Sequence, residues 1–190
     1  MAESEISLSI SGRETIHKLS GRHWPACLRA AQLVREAGGL VSFDGGAHRF
    51  DDKFLELLRR ADIAIVASDF AEKLTNSADT EDQLAALRAF GVSVAGVTDG
   101  ARGSWFSTSV DGDFHQSAFP ADPVVDTTGC GDVFHGAFLF GHSRGWPPRQ
   151  SARLASAVAA LNASALGGRG NLPDYDHAMS FIGEHRRTNR

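Results

Sequence analysis

The residues best suited to chemistry lie between positions 126 and 132 and have the sequence DTTGCGD. Two valines at 124–125 predict the end of a strand, and the apolar run at 133–140 predicts a buried helix. Glycines at the start of a helix let the backbone approach a ligand closely, and the free N–H groups there bind anions. Asp132 would lie in the first turn, beside a bound phosphate. The segment therefore predicts a phosphate site with its own candidate catalytic base.

The elements that must position this segment follow from the hydrophobic periodicity. The predicted helices span 24–37, 50–60, 80–90, 150–166 and 175–185, and the predicted strands span 40–43, 63–66 and 92–97. Asp79 is a candidate cap of the third helix, and an Asp-Gly pair at 111–112 predicts a hairpin over 103–119. Because strands alternate with helices, we expect an α/β fold with a mainly parallel sheet.

Polar residues follow the predicted strands at one edge of this sheet. Asp44, Ser68 and Thr98 each stand at a strand's carboxyl end, as does the 126–132 segment. Ligands of parallel sheets bind at this edge. The sequence therefore predicts one site to which all of these segments contribute.

The DTTGCGD segment, followed by Phe134 and Gly136, resembles the C-terminal signature of the ribokinase-like (PfkB) carbohydrate kinases. Cys130 stands where that family usually has alanine. The resemblance implies a ribokinase-like three-layer αβα fold, with residues 1–190 forming a single α/β domain that is the family's nucleotide-binding part. It also implies an ATP-dependent phosphotransferase that uses Mg²⁺ and moves the γ-phosphate to a sugar hydroxyl.

The resemblance assigns the catalytic roles within the signature. Asp132 would be the base that takes a proton from the sugar hydroxyl, and the N–H groups of Gly129, Cys130 and Gly131 would form the anion hole. Asp132 has the alternative role of a helix cap. Cys130 has two interpretations, a small residue used for its N–H group or a reactive thiol at a helix N-terminus.

The resemblance also predicts a nucleotide site. Thr98, Gly100 and Gly103 match the family's T-x-G-x-x-G nucleotide loop. Ser156 and Gly167 fall where relatives line the adenine pocket, although Ser156 replaces a common asparagine and is also explained by helix packing. Ser68 occupies the asparagine position of an N-x-x-E motif that supports magnesium and phosphates in relatives.

Two further acidic segments have open interpretations. Asp126 and Thr127 lie where some relatives bind a monovalent cation or organise magnesium, but a turn held by side-chain-to-backbone hydrogen bonds explains them equally well. Asp44 and Arg49 resemble the family's strand-end D-G-G-x-x-R pattern, and here too a turn is the alternative.

The resemblance extends from about residue 20 to residue 173 and covers the C-terminal part of the family pattern. No counterpart of the family's sugar contacts precedes residue 20, so the chain is expected to lack the N-terminal strands and the lid. We therefore expect weak or no turnover by this chain alone, with a non-catalytic nucleotide-binding or interaction protein as the alternative. Ser68 and the run at 118–120 favour the ketohexokinase-like branch.

Composition excludes several other classes. A net charge of −4 without a basic stripe argues against nucleic-acid binding. No apolar run approaches 18 residues and the acidic N-terminus has no signal-peptide core, so we predict a cytoplasmic protein without membrane contact. Cys27 and Cys130 have no spacing typical of a zinc site or a disulfide framework. The expected partners are ATP and a small sugar, and the oligomeric state stays open.

Overall fold

The computed structural model of the chain describes residues 15–20 and 23–187. The N-terminal segment 1–14 lies outside the described residues, and with it the prediction that this segment has neither a signal peptide nor a sugar-contact motif. The last three positions of the tail, which was predicted to fray, lie outside them as well.

A six-stranded sheet forms the centre of the fold, and its strands follow one another in chain order. They are β1 (Ile16–Leu19), β2 (Leu40–Gly45), β3 (Ile63–Ala67), β4 (Val94–Thr98), β5 (Ser104–Thr108) and β6 (Gly112–Gln116). The first four are parallel, and β5 and β6 form the predicted antiparallel hairpin. The prediction of a mainly parallel sheet is confirmed.

Seven α-helices accompany the sheet in the described part of the chain. They are α1 (Trp24–Glu36), α2 (Phe54–Leu58), α3 (Ser68–Thr75), α4 (Thr80–Ala89), α5 (Cys130–Ser143), α6 (Pro148–Asn162) and α7 (Tyr175–Arg187). Asp79 caps α4 as predicted, because its side chain accepts hydrogen bonds from the N–H groups of Glu81 and Asp82. None of these helices has the length and apolarity needed to cross a membrane.

Three local predictions differ from the structure. The predicted strand end at 124–125 is wrong, since Val125 N–H donates to Ala163 O at 2.8 Å and this exposed segment lies against the end of α6 instead of the sheet. The helix predicted over 50–60 begins only at Phe54, after a turn in which Asp51 accepts from the N–H of Lys53. The helix predicted over 150–166 ends at Asn162. Strand β1 and helix α3 had not been predicted, and only two residues of α3 are buried.

The sheet is covered on both faces, which confirms the three-layer arrangement. In β3, Ala64 and Val66 belong to a core cluster shared with α1–α4, whereas Ile63 and Ile65 belong to a second cluster shared with α5 and α6. This explains why β3 has a continuous apolar sequence. The sheet thereby holds the start of α5 at the carboxyl end of the strands.

Phe138 provides a test of the layer formed by α5. Its side chain is fully buried and its ring stacks on Phe106 with a centroid distance of 5.3 Å. Because Phe138→Ala leaves a large cavity, we expect the free energy of unfolding to fall by about 3–5 kcal/mol, measured by urea denaturation. Val110→Ala, at an exposed turn position, is the control and should change it by about 0.5 kcal/mol or less. Equal losses in the two variants would contradict the packing described.

Candidate functional site

The N-terminus of α5 depends on a glycine in a left-handed conformation. Gly129 caps the helix with a φ of 75°. A β-carbon at this position would lie 2.5 Å from the carbonyl oxygen of Gly168 and 2.7 Å from its Cα atom. Only glycine therefore fits where the 126–132 segment approaches the loop after α6.

The first turn of α5 has two free backbone donors: Gly131 N–H, which belongs to the predicted anion hole, and Asp132 N–H, which had not been assigned to it. Cys130 N–H donates to Thr127 O at 3.2 Å, which closes the turn before the helix. Among the described residues, the N–H groups of Gly131 and Asp132 have no protein acceptor. A β-carbon on Gly131 would meet open space. An anion can therefore reach these donors, as helix N-termini favour.

Asp126 ties the two loops of the site together. Its Oδ1 accepts from Thr128 N–H at 2.8 Å and its Oδ2 accepts from Gly167 N–H at 2.9 Å. Hydrogen bonds from Thr128, then from Gly167, lower the pKa of Asp126 below its ordinary value. In the described residues, no three His, Cys, Asp or Glu side chains are grouped to hold a metal. The metal roles of Asp126 and Thr127 stay predictions.

A cavity of about 510 Å³ opens beside the start of α5. The predicted site residues that line it are Thr98, Gly100, Gly103, Thr127, Cys130, Gly131 and Ser156. Alanine, valine, phenylalanine and proline side chains from the loop 118–124 and from α6 form much of the remaining wall. The remaining predicted site residues are not among the lining residues: Ser68, Asp126, Gly129, Asp132 and Gly167.

Ser156 and Cys130 both have structural contacts at the cavity wall. Ser156 Oγ donates to Ser117 O and accepts from Phe119 N–H, each at 3.2 Å, and so joins α6 to the loop. Cys130 Sγ lies 3.8 Å from Asn162 Nδ2, and burial raises the thiol pKa above its ordinary value. A thiol that stays protonated at neutral pH favours the small-residue interpretation of Cys130.

Asp132 is the exposed acid of the site, with 69% of its side chain accessible. Its Oδ1 accepts a hydrogen bond from Lys18 Nζ at 2.7 Å, and the same ammonium group lies 2.8 Å from Asp44 Oδ2. The hydrogen bond from Lys18 is the main reason that the pKa of Asp132 is lowered, with partial burial opposing it. Asp132 is therefore a carboxylate at neutral pH.

Lys18 is a site residue that the sequence did not predict, because it precedes residue 20, where the recognised resemblance begins. A usable signal existed nonetheless. Lys18 is the one charged residue of β1 and pairs in register with Ser42, two residues before Asp44. A lysine near the carboxyl end of a strand that neighbours Asp44 lies at the edge where the site was predicted.

Comparison with known proteins gives a consistent assignment. The pattern of the pfkB family carbohydrate kinases matches residues 3–174, so it includes β1 and Lys18. The aminoimidazole riboside kinase of Salmonella typhimurium is 35% identical over an alignment of 176 positions, and the match covers 84% of this chain and 54% of that protein.

Two solved structures extend the likeness to the fold. Aminoimidazole riboside kinase from Salmonella enterica, complexed with aminoimidazole riboside and an ATP analogue, is 30% identical with a TM-score of 0.76, over 88% of this chain and 62% of that one. Arabidopsis thaliana ribokinase, complexed with ribose and ATP, is 27% identical with a TM-score of 0.75, over 88% and 55% of the chains.

The chain spans about half the length of these relatives, at 54% of the Salmonella typhimurium enzyme and 42% of a ribokinase from Arabidopsis thaliana that is 31% identical. The family pattern nevertheless covers most of its 190 residues. The signature at 126–132, the ribokinase-like fold and this match agree: the chain belongs to the pfkB family of carbohydrate kinases.

Proposed function

We propose that the protein is an ATP-dependent kinase that transfers the γ-phosphate to a hydroxyl of a sugar or a riboside. One observation carries the proposal: an exposed carboxylate, Asp132, lies in the first turn of α5 together with two backbone donors that have no acceptor among the described residues. Its chain neighbours Cys130 and Gly131 line the cavity. The names of the relatives, which are kinases of ribose and aminoimidazole riboside, support the acceptor class.

The chain's own residues supply positioning and charge. Asp132 accepts the proton of the acceptor hydroxyl, for which its lowered pKa keeps it ionised at neutral pH. The N–H groups of Gly131 and Asp132, with the positive end of the α5 dipole, stabilise the negative charge of the phosphoryl group in transfer. Phosphoryl transfer depends mostly on such positioning and charge stabilisation.

The cavity fits a nucleotide. Its volume of about 510 Å³ and its largely apolar lining suit a planar base, while Thr98 and the glycines of residues 100–103 offer polar and backbone contacts. Mg²⁺ bound with the nucleotide would neutralise phosphate charge. This ion retains several waters and relies on substrate phosphates, so a site with few protein ligands is compatible with it. Asp126 and Thr127 remain the candidates for a magnesium-organising or monovalent-cation role.

ATP binding can be tested with the two cysteines of the chain. Cys130 lines the proposed nucleotide cavity, whereas Cys27 lies on α1 and packs against the core cluster on the other face of the sheet. We expect ATP to slow alkylation of Cys130 by iodoacetamide at alkaline pH, and to leave alkylation of Cys27 unchanged, as measured by peptide mass spectrometry. Equal effects on both thiols would mean that ATP acts elsewhere.

Turnover is then measured by coupled ADP release with ribose, fructose, aminoimidazole riboside and cytidine as acceptors. A reaction without an acceptor gives the rate of ATP hydrolysis, which is subtracted. Acceptor-dependent ADP release supports the kinase and would contradict the expectation that this chain alone has weak or no turnover. Protection of Cys130 without turnover on any acceptor would instead support the non-catalytic nucleotide-binding protein, and the absence of protection would refute both.

A further inference from the structure

We propose that Lys18 is a positioning residue of this site, which fixes the orientation of the Asp132 carboxylate through a bridge to Asp44. The inference rests on the proposed function, because it concerns the base of that reaction. It assigns a role to a residue of β1, outside the signature at 126–132.

The geometry of the bridge is that of a clamp with one largely enclosed and one exposed end. Lys18 Nζ lies 2.8 Å from Asp44 Oδ2 and 2.7 Å from Asp132 Oδ1. The Asp44 side chain is 12% accessible and that of Asp132 is 69% accessible. Lys18 therefore connects an acid held by the sheet to an acid that would otherwise rotate in solvent. Since Lys18 contacts Oδ1, Oδ2 is left to accept from a substrate hydroxyl.

A buried polar pair supports the inner end of the clamp. Ser42 and Asp44 alternate along β2 and so face the same side, and His135 lies one helical turn after Asp132 on α5. Ser42 Oγ and His135 Nε2 are 2.7 Å apart, which joins β2 to α5 beneath the site. His135 Nδ1 is buried, has no hydrogen-bond partner among the described residues, and lies 4.0 Å from Asp44 Oδ2.

The charges that face Asp132 come from three parts of the fold. Lys18 projects from β1, Asp44 from β2 with Arg49 in the loop that follows, and His135 from α5. Burial, and next the charge of Lys18, lower the pKa of His135 to about 3, so His135 is neutral. Lys18 is therefore the only one of these groups that makes a direct cationic contact with Asp132. Its removal leaves two carboxylates facing each other.

The test compares Lys18→Met, which keeps the length of the side chain without its charge, with Lys18→Arg, which restores a cation. In Lys18→Met we expect kcat to fall at least about tenfold while KM for ATP changes little, because alignment of the base is lost but the nucleotide cavity is intact. We expect Lys18→Arg to recover part of this loss. Lys73→Met, on the exposed face of α3, is the matched control and should keep wild-type kinetics.

A second readout follows the ion pair itself. Carbon-13 NMR titration of the Asp132 carboxyl should give a higher pKa in Lys18→Met, because the cation that favours the ionised form is gone and Asp44 repels it. The acid limb of the kcat profile should move to higher pH in the same direction. Should Lys18→Met fold poorly, the double variant with Asp44→Asn removes the carboxylate that has lost its partner, and kcat and the Asp132 titration are compared in that background.

The outcomes separate the two proposals. A wild-type protein without turnover on any acceptor refutes the proposed function, and with it a positioning role. If the wild type is active, an unchanged kcat or an unchanged Asp132 titration in Lys18→Met refutes the role of Lys18 alone. A lower kcat with a raised Asp132 pKa, recovered in part by arginine, supports it.

Discussion

Replacing Asp132 with asparagine is expected to lower kcat by about 10²–10⁴-fold, the usual contribution of a general base. An amide has the shape of the carboxylate but cannot take the proton of the acceptor hydroxyl. The side chain is 69% accessible, so the substitution opens no cavity in the core. The residues that line the proposed nucleotide cavity are unchanged. We therefore expect KM for ATP to stay within about threefold of the wild-type value. Coupled ADP release with saturating acceptor measures both constants.

Asp113→Asn is the matched control, because Asp113 is also an exposed aspartate but lies on β6, away from the start of α5. Its kinetics should equal those of the wild type. Full activity in Asp132→Asn would contradict the assignment of the base and leave Asp132 as an acid of the first helical turn that pairs with Lys18. A parallel loss of ATP binding would place Asp132 in nucleotide binding instead, and protection of Cys130 from alkylation distinguishes this case.

Local sequence predicted the parts of the site that are contiguous in the chain. The segment 126–132 carries its own glycines, its acid and its helix start, so its conformation follows largely from these residues. The placement of Thr98 near it was also predictable, because parallel strands end at a shared edge.

Contacts between distant segments were not predictable in this way. Lys18 and Asp132 are 114 residues apart, and their contact depends on β1 pairing with β2 while α5 packs over the sheet. The conformation of residues 124–125 likewise depends on the carbonyl of Ala163 at the end of α6. Two valines favour a strand locally, but none of the six described strands pairs with them, and the hydrogen bond to Ala163 at the end of α6 holds this segment instead.

Within the signature, the structure distinguishes two glycines that the sequence treats alike. Gly129 has a φ of 75° and its absent β-carbon would meet the backbone of Gly168 at 2.5 Å, whereas Gly131 is helical and its β-carbon would meet open space. Gly129 is thus required by the fold of the loops. Gly131 has no such structural requirement, so its lack of a side chain matters only if a ligand approaches its N–H group.

Alanine substitutions at these two positions should therefore differ in their effect on stability, although both should impair function. Gly129→Ala should lower the free energy of unfolding by at least about 2 kcal/mol, because a left-handed alanine is strained and the backbone of Gly168 must move. The displaced loop should also weaken ATP binding by about tenfold or more. Gly131→Ala should preserve the stability, or raise it by up to about 1 kcal/mol through its helix propensity, yet lower kcat by at least about tenfold, since its methyl group occupies the approach of the phosphate.

Gly136→Ala separates the effect of the ligand from that of helix propensity. Gly136 lies on the same helix, is exposed, and its β-carbon would also meet open space. It should gain stability as Gly131→Ala does and keep wild-type kinetics. Urea unfolding measures the stability of the three glycine variants, and coupled ADP release measures their kcat. If Gly131→Ala retained full kcat, the phosphate would not approach the first turn of α5, and the anion site would have to be sought among the other backbone donors of the loop.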